Sequence, residues 1–561
     1  MGAEVPDHPN VLLICVDDLR PELRCYGAEH MLTPRIDALS AGGVIFDRFY
    51  VQVAVCNPSR ASTWTGLRPD RLGVWTLPVH FREAMPDAVT LPQYLRSHGY
   101  TCEGYGKIFH NPWPDPRSWD REHAWGEGSF THYTPEQNAF ARKARESFPE
   151  GSWHRRNLRG MVTNDPDIPD SEHQDGALAL MAAGRLRALK EAGNPFFLAV
   201  GFLLPHLPWA PPRSWWEKYE RETLPLAANP FPPEGAPKVA LGTNHEPAYH
   251  AGMTHMGKPW EEPVTEADAR LLRHGYFASV SFIDAQVGVL LDALKEQGLA
   301  EDTIVILWSD HGYKLGEHNG WGKMTNFEID TRVPFIIRDP RAKANGQRTR
   351  RLVESLDVFP TVCELAGVPA PDSIDGRSAA NLLDDPAAPH GEAVFSQFVR
   401  DSLMGAAIRT DRWSYVEWRD MKNGSVKHRE LYDQEGDPAE DHNVAARNPE
   451  VVADLEQRLR KVLVPGPVDL VPRIHSETDG QALGFRWVNR YKGAVRVSWI
   501  NGLGQRAKQP VTLQPGMARK MQGRIGYVYA IESVDGRYHE LVTLEEGRDL
   551  FELGPEAAAL R

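Results

Sequence analysis

The sequence is poor in cysteine and has no long uninterrupted apolar run. Its 561 residues include five cysteines, an odd and sparse set that does not make a disulfide framework. No apolar run approaches the roughly 18 residues that a membrane-spanning helix needs, so we expect no membrane span. The first ten residues lack the basic and apolar segments of a signal peptide. The sequence therefore indicates either a cytosolic protein or one whose signal peptide has been replaced by a starting methionine.

Positive charge is also scarce. The chain carries 63 Lys and Arg against 76 Asp and Glu, a formal net charge of −13. This balance argues against nucleic acid as a partner, because phosphate backbones are bound by a surplus of basic residues. It does not exclude an anionic ligand, since a pocket can be locally basic within an acidic protein. The apolar share of 41% is ordinary for a soluble globular protein, and the length predicts more than one domain.

Runs of apolar and β-branched residues recur along the first two thirds of the chain. They lie at 10–16, 194–204, 303–309 and 333–339, and residues 268–298 have the apolar spacing of a long amphipathic helix. Such runs are typical of strands that are buried on both faces of a sheet. Strands that alternate with helices indicate a layered fold, so we predict an α/β domain with a mainly parallel sheet.

Two long segments, 111–175 and 205–265, interrupt this alternation and are rich in Pro, Trp and His. Structureless segments of this length are usually functional, so we predict that they form the walls of a substrate pocket. Their tryptophans suit sugar rings, but packing of the loops is an equally good interpretation. These residues are Trp113, Trp119, Trp125, Trp153, Trp209, Trp215 and Trp216.

The pattern changes again after about residue 391. Residues 406–433 are strand-like, with Asn423-Gly424 as a hairpin turn, and a helix follows from residue 449. Beyond residue 475 come short alternating strands separated by Gly and Pro, which are typical of a small all-β module. We predict a catalytic α/β domain at 1–385, a smaller α+β subdomain with an antiparallel sheet and a helix at 386–465, and the all-β module at 475–561.

Cys56 begins the string CNPSRASTWTG, which can open a helix. A thiol at a helix N-terminus near an arginine, here Arg60, is unusually reactive. A buried cysteine beside a turn proline is the commoner interpretation of an isolated C-x-P pattern. The other four cysteines do not lie in a comparable motif. We predict that Cys15 and Cys363 are small buried core residues.

Acidic residues follow two of the predicted strands. Asp17-Asp18 comes directly after the first strand, and Asp310-His311 follows the strand at 303–309. Open α/β sheets bind their ligands at these carboxyl ends, although a single such pair is more often a cap or a turn. Two pairs together favour a hard divalent cation, which prefers oxygen ligands. An imidazole is not a preferred ligand of calcium, so this chemistry favours His311 less than the carboxylates.

Basic residues and histidines follow other predicted strands. Lys107 and His110 lie in GYGKIFH, His206 lies in LLPHLPW and Lys323 lies in GWGKMTNFE. Taken alone, the GYGKIFH segment favours an exposed Lys107 and a packed His110. Together with Arg60, the two lysines would form a basic pocket inside an acidic protein, as an oxyanion ligand requires.

The string CNPSRASTWTG resembles the signature of the type I, formylglycine-dependent sulfatases. Residues 9–465 resemble the iduronate-2-sulfatase branch of that family, most clearly in NVLLICVDDLRPELRCYG, GYGKIFH, FFLAVGFLLPHLPW and SDHGYKLGEHNGWGKMTNFEIDTRVPFI. The module after residue 475 resembles the von Hippel–Lindau β domain. The first resemblance implies an alkaline-phosphatase-like sulfatase fold and a sulfuric ester hydrolase.

The resemblance also implies a modified nucleophile and a metal site. Cys56 is expected to be oxidised to formylglycine by a maturation enzyme, which would be a partner of this chain. One divalent cation, Ca²⁺, is expected to be bound by the side chain of residue 56 together with Asp17, Asp18, Asp310 and His311.

The remaining candidates are expected to bind the substrate and to move protons. By the resemblance, Lys107 and Lys323 hold the sulfate together with His206, and His206 donates a proton to the leaving alcohol. His110 is expected near the formylglycine, and Arg60 is expected to complete the basic pocket.

The resemblance implies a sulfated carbohydrate as substrate, a 2-sulfated uronate or a polysaccharide fragment, and a periplasmic or secreted protein. Leu203 and Leu204 replace the polar residues that the branch typically has before Pro205-His206, which removes polar contacts from the predicted pocket rim. Three alternatives stay open: a phosphonate or phosphate-ester hydrolase of the same superfamily, a non-catalytic carbohydrate-binding protein, and a hydrolase that uses an unmodified thiol.

Overall fold

The structure is a computed structural model that describes residues 8–111, 114–150, 153–242, 245–253, 257–463, 481–500, 510–534 and 539–554. Its strands are β1 (Asn10–Val16), β2 (Val44–Phe46), β3 (Phe49–Tyr50), β4 (Thr101–Gly106), β5 (Phe196–Phe202), β6 (Thr303–Ser309), β7 (Lys314–Leu315), β8 (Trp321–Gly322), β9 (Phe335–Arg338), β10 (Arg348–Thr349), β11 (Val353–Glu354), β12 (Val394–Arg400), β13 (Leu403–Arg409), β14 (Trp413–Asp420), β15 (Val426–Asp433), β16 (Ala482–Asn489), β17 (Val495–Ile500), β18 (Val511–Leu513), β19 (Ala518–Arg524), β20 (Val528–Ser533), β21 (His539–Thr543) and β22 (Leu550–Leu553). Its α-helices are α1 (Pro34–Ala41), α2 (Cys56–Thr65), α3 (Pro69–Leu72), α4 (Phe81–Ala84), α5 (Leu91–Ser97), α6 (Pro135–Ser147), α7 (Trp153–Asn157), α8 (Gln174–Ala192), α9 (Arg213–Trp216), α10 (Glu266–Glu296), α11 (Glu328–Thr331), α12 (Val358–Leu365) and α13 (Pro449–Val462).

A seven-stranded sheet with the order β10-β2-β9-β6-β1-β5-β4 forms the centre of the fold. The four strands β6, β1, β5 and β4 are consecutive parallel neighbours. β9 runs antiparallel to both of its neighbours, and β10 pairs with β2 in parallel. The prediction of a mainly parallel sheet is therefore confirmed, with β9 as the exception.

Both faces of this sheet are covered, as the uninterrupted apolar strands predict. Alternate residues of a strand point to opposite faces. In β1, Val11, Leu13 and Cys15 join the core that contains α2, α5 and α12. The intervening Leu12 and Ile14, with Val16, join the core that contains α1, α8 and α10. This burial holds the carboxyl end of β1 in a fixed position.

The helix α10 is long and apolar enough to cross a membrane by length and composition alone. In the structure, 78% of its most apolar window is buried inside the protein. Its residues Tyr276, Phe277 and Ile283 pack against the central sheet. A buried core helix accounts for this composition.

The two segments predicted to be structureless contain α6, α7 and α9, so that prediction is wrong in part. Helix α6 is signalled by a capping box, in which Thr134 accepts from the backbone of Gln137 and the Gln137 side chain accepts from the backbone of Thr134. The tryptophans mostly pack these segments down: Trp119, Trp209 and Trp216 are buried. Trp125 and Trp215 are partly exposed, whereas Trp113 and the side chain of Trp153 lie outside the described residues.

The C-terminal part contains antiparallel sheets, as predicted. Strands β12 to β15 form a four-stranded sheet in chain order, with Gly424 at a φ of 70° in the β14–β15 turn, and α13 packs on this sheet. In the last module, β19-β16-β22 and β18-β17-β20-β21 form two sheets that share an apolar core around Phe485 and Trp487. The segment between these parts, residues 464–480, lies outside the described residues. The division at residues 385 and 465 stays a prediction.

Candidate active site

Four neighbouring strands end at the same edge of the central sheet. Because β6, β1, β5 and β4 are parallel, their carboxyl ends all lie there. This is where open α/β sheets bind their ligands. The candidate residues that follow these strands are Asp310 and His311 after β6, Asp17 and Asp18 after β1, His206 after β5, and Lys107 and His110 after β4.

Helix α2 brings Cys56 to the same edge. The helix begins at Cys56, and every residue in it is buried. Cys56 Sγ lies 3.2 Å from His311 Nε2 and 3.7 Å from Lys107 Nζ. The structure therefore places this thiol against residues that follow β6 and β4.

Arg60 lies one turn further along α2 and is fully buried. Its Nε donates to Asp310 Oδ2 at 2.8 Å, and its Nη1 donates to the carbonyl of Ile108 at 3.0 Å and to that of Lys107. Its Nη2 lies 3.5 Å from Asp17 Oδ1. These bonds tie α2 to the ends of three strands. Arg60 thus donates to carboxylates and backbone carbonyls at the strand ends, and its part in the basic pocket stays a prediction.

The acidic centre of the site consists of Asp17, Asp18, Cys56 and His311. One donor atom from each lies within 4.8 Å of all the others, and both carboxylates are fully buried. Asp310 adjoins them, since its Oδ1 accepts from the backbone N–H of Asp18 at 3.2 Å. Burial opposes a charge on His311, but Asp310, followed by Cys56 and Asp18, raises its pKa to about 10. The raised pKa favours a protonated imidazole, so His311 would have to lose this proton in order to ligate a metal ion.

Two buried lysines balance the carboxylates. Lys323 Nζ contacts both carboxylate oxygens of Asp18 at 2.8 Å, and Lys107 Nζ donates to Asp17 Oδ2. Burial opposes the charge on each ammonium group. Asp18 nevertheless raises the pKa of Lys323, and Asp17 raises that of Lys107. Both lysines therefore stay positively charged inside an acidic protein, as a bound oxyanion would require.

The charges of these lysines affect the pKa values of His206 and His110. Burial lowers the pKa of His206 to about 3, and Lys323 adds to the shift. Burial lowers the pKa of His110 to about 3 as well, with Lys107 adding to it. His206 Nδ1 donates to the carbonyl of Leu207 at 2.6 Å, which leaves Nε2 as the ring nitrogen that can exchange a proton.

The two leucines before His206, which were predicted to remove polar contacts from the pocket rim, differ in their burial. Leu204 is fully buried in the core, and Leu203 is partly buried. The backbone N–H groups of both donate to Asp175 at 2.9 Å. Asp175 lies at the start of α8 and is itself buried. Leu204 therefore packs in the core, and its backbone helps to position the loop that carries His206.

Several residues of the site carry no signal in the sequence. Glu246 Oε1 lies 3.4 Å from Lys323 Nζ. This contact depends on tertiary packing, which places the 245–253 segment beside β8. The hydroxyl of Tyr276, on α10, donates to the carbonyl of Asp18 at 2.8 Å. Ser309 accepts from the backbone N–H of Leu19 at 3.0 Å. These groups fix the backbone around the two acidic pairs.

Comparison with known proteins identifies the family. The sulfatase family profile matches residues 9–368, and a profile described as the C-terminal part of N-sulphoglucosamine sulphohydrolase matches residues 316–464. The chain belongs to the sulfatase family. It is therefore a sulfuric ester hydrolase, as its resemblance to the type I sulfatases predicted.

Individual relatives agree with this assignment. Iduronate 2-sulfatase of Mus musculus is 32% identical over 515 residues, which cover 79% of this chain and 92% of that protein. A protein solved in complex with its substrate D-glucosamine-2-N,6-O-disulfate superposes with a TM-score of 0.64 at 22% identity, covering 81% of this chain and 97% of that one. The phosphonate monoester hydrolase of Agrobacterium radiobacter superposes with a TM-score of 0.61 at 24% identity, covering 84% and 98%. The two structures share the fold of this sulfatase.

Proposed function

We propose that this sulfatase removes sulfate from a sulfated carbohydrate, with residue 56 as nucleophile after its oxidation to formylglycine. The main support is the convergence of Cys56 with Asp17, Asp18 and His311 within 4.8 Å at the strand ends. The family profile covers the same residues. A nucleophile beside a cation site flanked by two lysines suits an electrophile that carries negative oxygens.

The donor set fits a hard divalent cation. Asp17 and Asp18 are adjacent and fully buried, and Asp310 lies against them, so three carboxylates offer oxygen ligands of the kind that such a cation prefers. We propose that these three carboxylates, with His311 and the side chain of residue 56, hold one Ca²⁺. When bound, such an ion stabilises negative charge on the sulfate oxygens as a Lewis acid.

Lys107 and Lys323 are proposed to hold the sulfate. Each is buried and charged, and each already contacts a carboxylate of the acidic centre. Their ammonium groups can therefore stabilise the charge that grows on the sulfate oxygens as the ester bond breaks. Arg60 is proposed as a positioning residue, because its guanidinium is bonded to Asp310 and to backbone carbonyls.

His206 is proposed as the general acid that protonates the leaving sugar oxygen. The carbonyl of Leu207 fixes the proton on Nδ1, which leaves Nε2 to exchange a proton with the substrate. Burial, with a contribution from Lys323, lowers the pKa of this imidazole to about 3 and so favours its neutral form. The negative charge of a bound sulfate ester would favour its protonated form. The formylglycine aldehyde adds water to give a geminal diol, one hydroxyl of which attacks the sulfate. We propose His110 as the base that accepts a proton from the second hydroxyl, so that the aldehyde forms again and sulfate leaves.

The substrate is proposed to be a sulfated polysaccharide fragment, with a 2-sulfated uronate as the first candidate. The support is the 32% identity to mouse iduronate 2-sulfatase over 515 residues. Sulfated polysaccharides lie outside the cytoplasm, so we also propose a periplasmic or secreted protein that is matured by a formylglycine-generating enzyme.

Rates on matched esters test the proposed substrate. We expect the matured enzyme to hydrolyse 4-nitrophenyl sulfate at least about 100-fold faster, in kcat/KM, than 4-nitrophenyl phosphate or a phenyl phosphonate. A 2-sulfated uronate and oligosaccharides of ulvan and fucoidan form the second arm. Phosphonate as the best substrate would refute the sulfatase assignment of the pocket. Turnover of aryl or choline sulfate alone, with every sulfated oligosaccharide refused, would refute the carbohydrate part.

His206→Ala tests the proposed general acid. We expect it to lower kcat/KM for a sugar sulfate by about 10²- to 10⁴-fold, because a sugar alkoxide is a poor leaving group without a proton. Nitrophenolate leaves without protonation, so the same variant should lose less than about tenfold on 4-nitrophenyl sulfate. His98→Ala, at an exposed histidine near the end of α5, serves as the control. Equal losses on both substrates would refute the acid role.

A further inference from the structure

The last module has an unusual charge distribution for an acidic chain. Between residues 481 and 531 the sequence has no Asp or Glu. The same stretch has nine basic residues: Arg486, Arg490, Lys492, Arg496, Arg506, Lys508, Arg519, Lys520 and Arg524. Arg506 and Lys508 lie outside the described residues. This segment is thus positively charged within an acidic chain, and the catalytic site does not use it.

The sheet register places three of these residues on one face. In the β16–β19 pair, Arg486 lies opposite Lys520 and Ala482 lies opposite Arg524. Directly opposed residues of an antiparallel pair share a face, and residues two apart along a strand do so as well. Arg486, Lys520 and Arg524 therefore form a row, and all three side chains are exposed. We call this row, with Gln522 between its ends, the basic face.

The other face of the same sheet is the core of the module. Phe485 and Trp487 alternate with Arg486 along β16 and are 3% and 0% exposed. Met521, opposite Phe485, also packs into that core. The alternation fixes the basic face toward solvent, because a slip of one residue would bury the charges and expose the aromatics.

Among the described residues, Arg486 and Lys520 of the basic face lack the ion pairs that neighbouring arginines form. Arg490 forms an ion pair with Glu552 at 2.8 Å, and Arg496 lies 3.9 Å from Glu532. Among the described residues, no carboxylate lies within 4.0 Å of Arg486 or Lys520. Like charges directly opposite each other destabilise a sheet, so this pair has a cost that folding does not explain. A polyanion lying across the strands would remove it.

The chemistry of the face favours a sulfated polysaccharide over a nucleic acid. Binding of single-stranded nucleic acid combines basic residues with exposed aromatic rings on which bases stack. Here the aromatic residues of β16, Phe485 and Trp487, are buried on the opposite face. Arg486, Gln522 and Lys520 offer charge and hydrogen-bond donors without a stacking surface, which suits sulfate groups and sugar hydroxyls.

We propose that the basic face of β16 and β19 binds a sulfated polysaccharide chain and keeps the enzyme on its polymeric substrate. The proposal rests on the proposed function only for the class of polyanion. A second contact on the same chain raises the effective concentration of the substrate at the catalytic site. Small sulfate esters do not reach both places, so their hydrolysis is independent of the basic face.

The test uses the full chain with the triple substitution Arg486→Gln, Lys520→Gln and Arg524→Gln. The matched control carries Arg187→Gln, Arg447→Gln and Lys461→Gln, which neutralise the same number of exposed charges outside the module. Binding to dextran sulfate is measured directly in both, so the result does not depend on catalysis. We expect about five- to tenfold weaker binding for the triple variant, and a change of less than about twofold for the control.

Activity gives the second readout. The triple variant should raise KM for a sulfated polysaccharide by a similar factor and leave kcat/KM for 4-nitrophenyl sulfate unchanged. Single variants Arg486→Gln and Lys520→Gln, each expected to weaken binding about twofold, carry the same test if the triple variant does not fold. Equal binding of dextran sulfate by the triple variant and the control would overturn the proposal. The proposal would also be overturned if single-stranded DNA bound more tightly than dextran sulfate and the triple substitution abolished the binding of DNA.

Discussion

Cys56→Ser should reduce steady-state hydrolysis of 4-nitrophenyl sulfate by at least about 10³-fold without changing the fold. A serine has one hydroxyl group. Once that hydroxyl has taken the sulfate, no second hydroxyl is present to expel it, and the ester waits for water. The residue lies at the start of α2, with its Sγ 3.2 Å from His311 Nε2, so the smaller oxygen fits without repacking.

Initial rates and the mass of the Cys56 peptide measure this prediction. The wild type is produced with a formylglycine-generating enzyme, and its peptide should have the mass of the aldehyde. Cys25→Ser is the matched control, because Cys25 is a partly exposed cysteine away from the strand ends. Its activity should stay within about twofold of the wild type. An active wild type whose Cys56 is an unmodified thiol, or a Cys56→Ser variant with wild-type turnover, would contradict the proposal and favour a thiol hydrolase.

The central sheet could be predicted from the sequence because its strands are buried on both faces. β1, β5 and β6 are uninterrupted apolar runs, and each is buried along almost its whole length. The direction of β9 could not be predicted, since a four-residue apolar strand looks the same in either orientation. Helix α6 could have been predicted from the Thr134–Gln137 capping box, but the Pro and Trp content of its surroundings favoured a loop.

The candidate site could be anticipated because each parallel strand delivers its next residue to the same edge. That rule alone brings Asp17, His206 and Lys107 together once the strand order is known. It says nothing of residues on other elements. Tyr276 lies in the middle of α10 and Glu246 begins a short 3₁₀ helix, and neither has a local pattern that marks it. Their contacts with Asp18 and Lys323 depend on how α10 and the 245–253 segment pack.

The direction in which a side chain points is the other thing that the sequence does not show. The sequence predicts that Arg60 belongs to a basic pocket. In the structure its guanidinium donates to Asp310 and to a backbone carbonyl. The sequence predicts that Leu204 removes a polar contact from the pocket rim. In the structure Leu204 is buried, and its backbone N–H donates to Asp175. In both cases the residue type was informative about the site, and the partner was set by the fold.

Asp17→Asn should remove the bound cation and reduce activity by at least about 10³-fold. Asp17 is fully buried beside Asp18, and Asp310 accepts from the backbone N–H of Asp18, so these three carboxylates supply the oxygen ligands proposed to bind Ca²⁺. An amide keeps the size of the side chain but removes the charge on which binding of a dication depends. Asp17 also forms an ion pair with Lys107. In the variant, neither Lys107 nor the cation has this carboxylate as a partner.

Metal analysis and thermal unfolding measure this prediction without reference to activity. The wild type should retain one Ca²⁺ per chain after gel filtration, and EDTA should lower its Tm by several degrees, because a ligand that binds only the folded state stabilises it. Asp17→Asn should retain none, and EDTA should leave its Tm unchanged. Asp284→Asn removes another buried carboxylate, one that caps α1, and should still bind the ion. Two results would contradict the proposed site: undiminished Ca²⁺ in Asp17→Asn, or an active wild type without a divalent cation. In the second case Lys107, Lys323 and Arg60 alone would balance the charge of the two adjacent buried carboxylates.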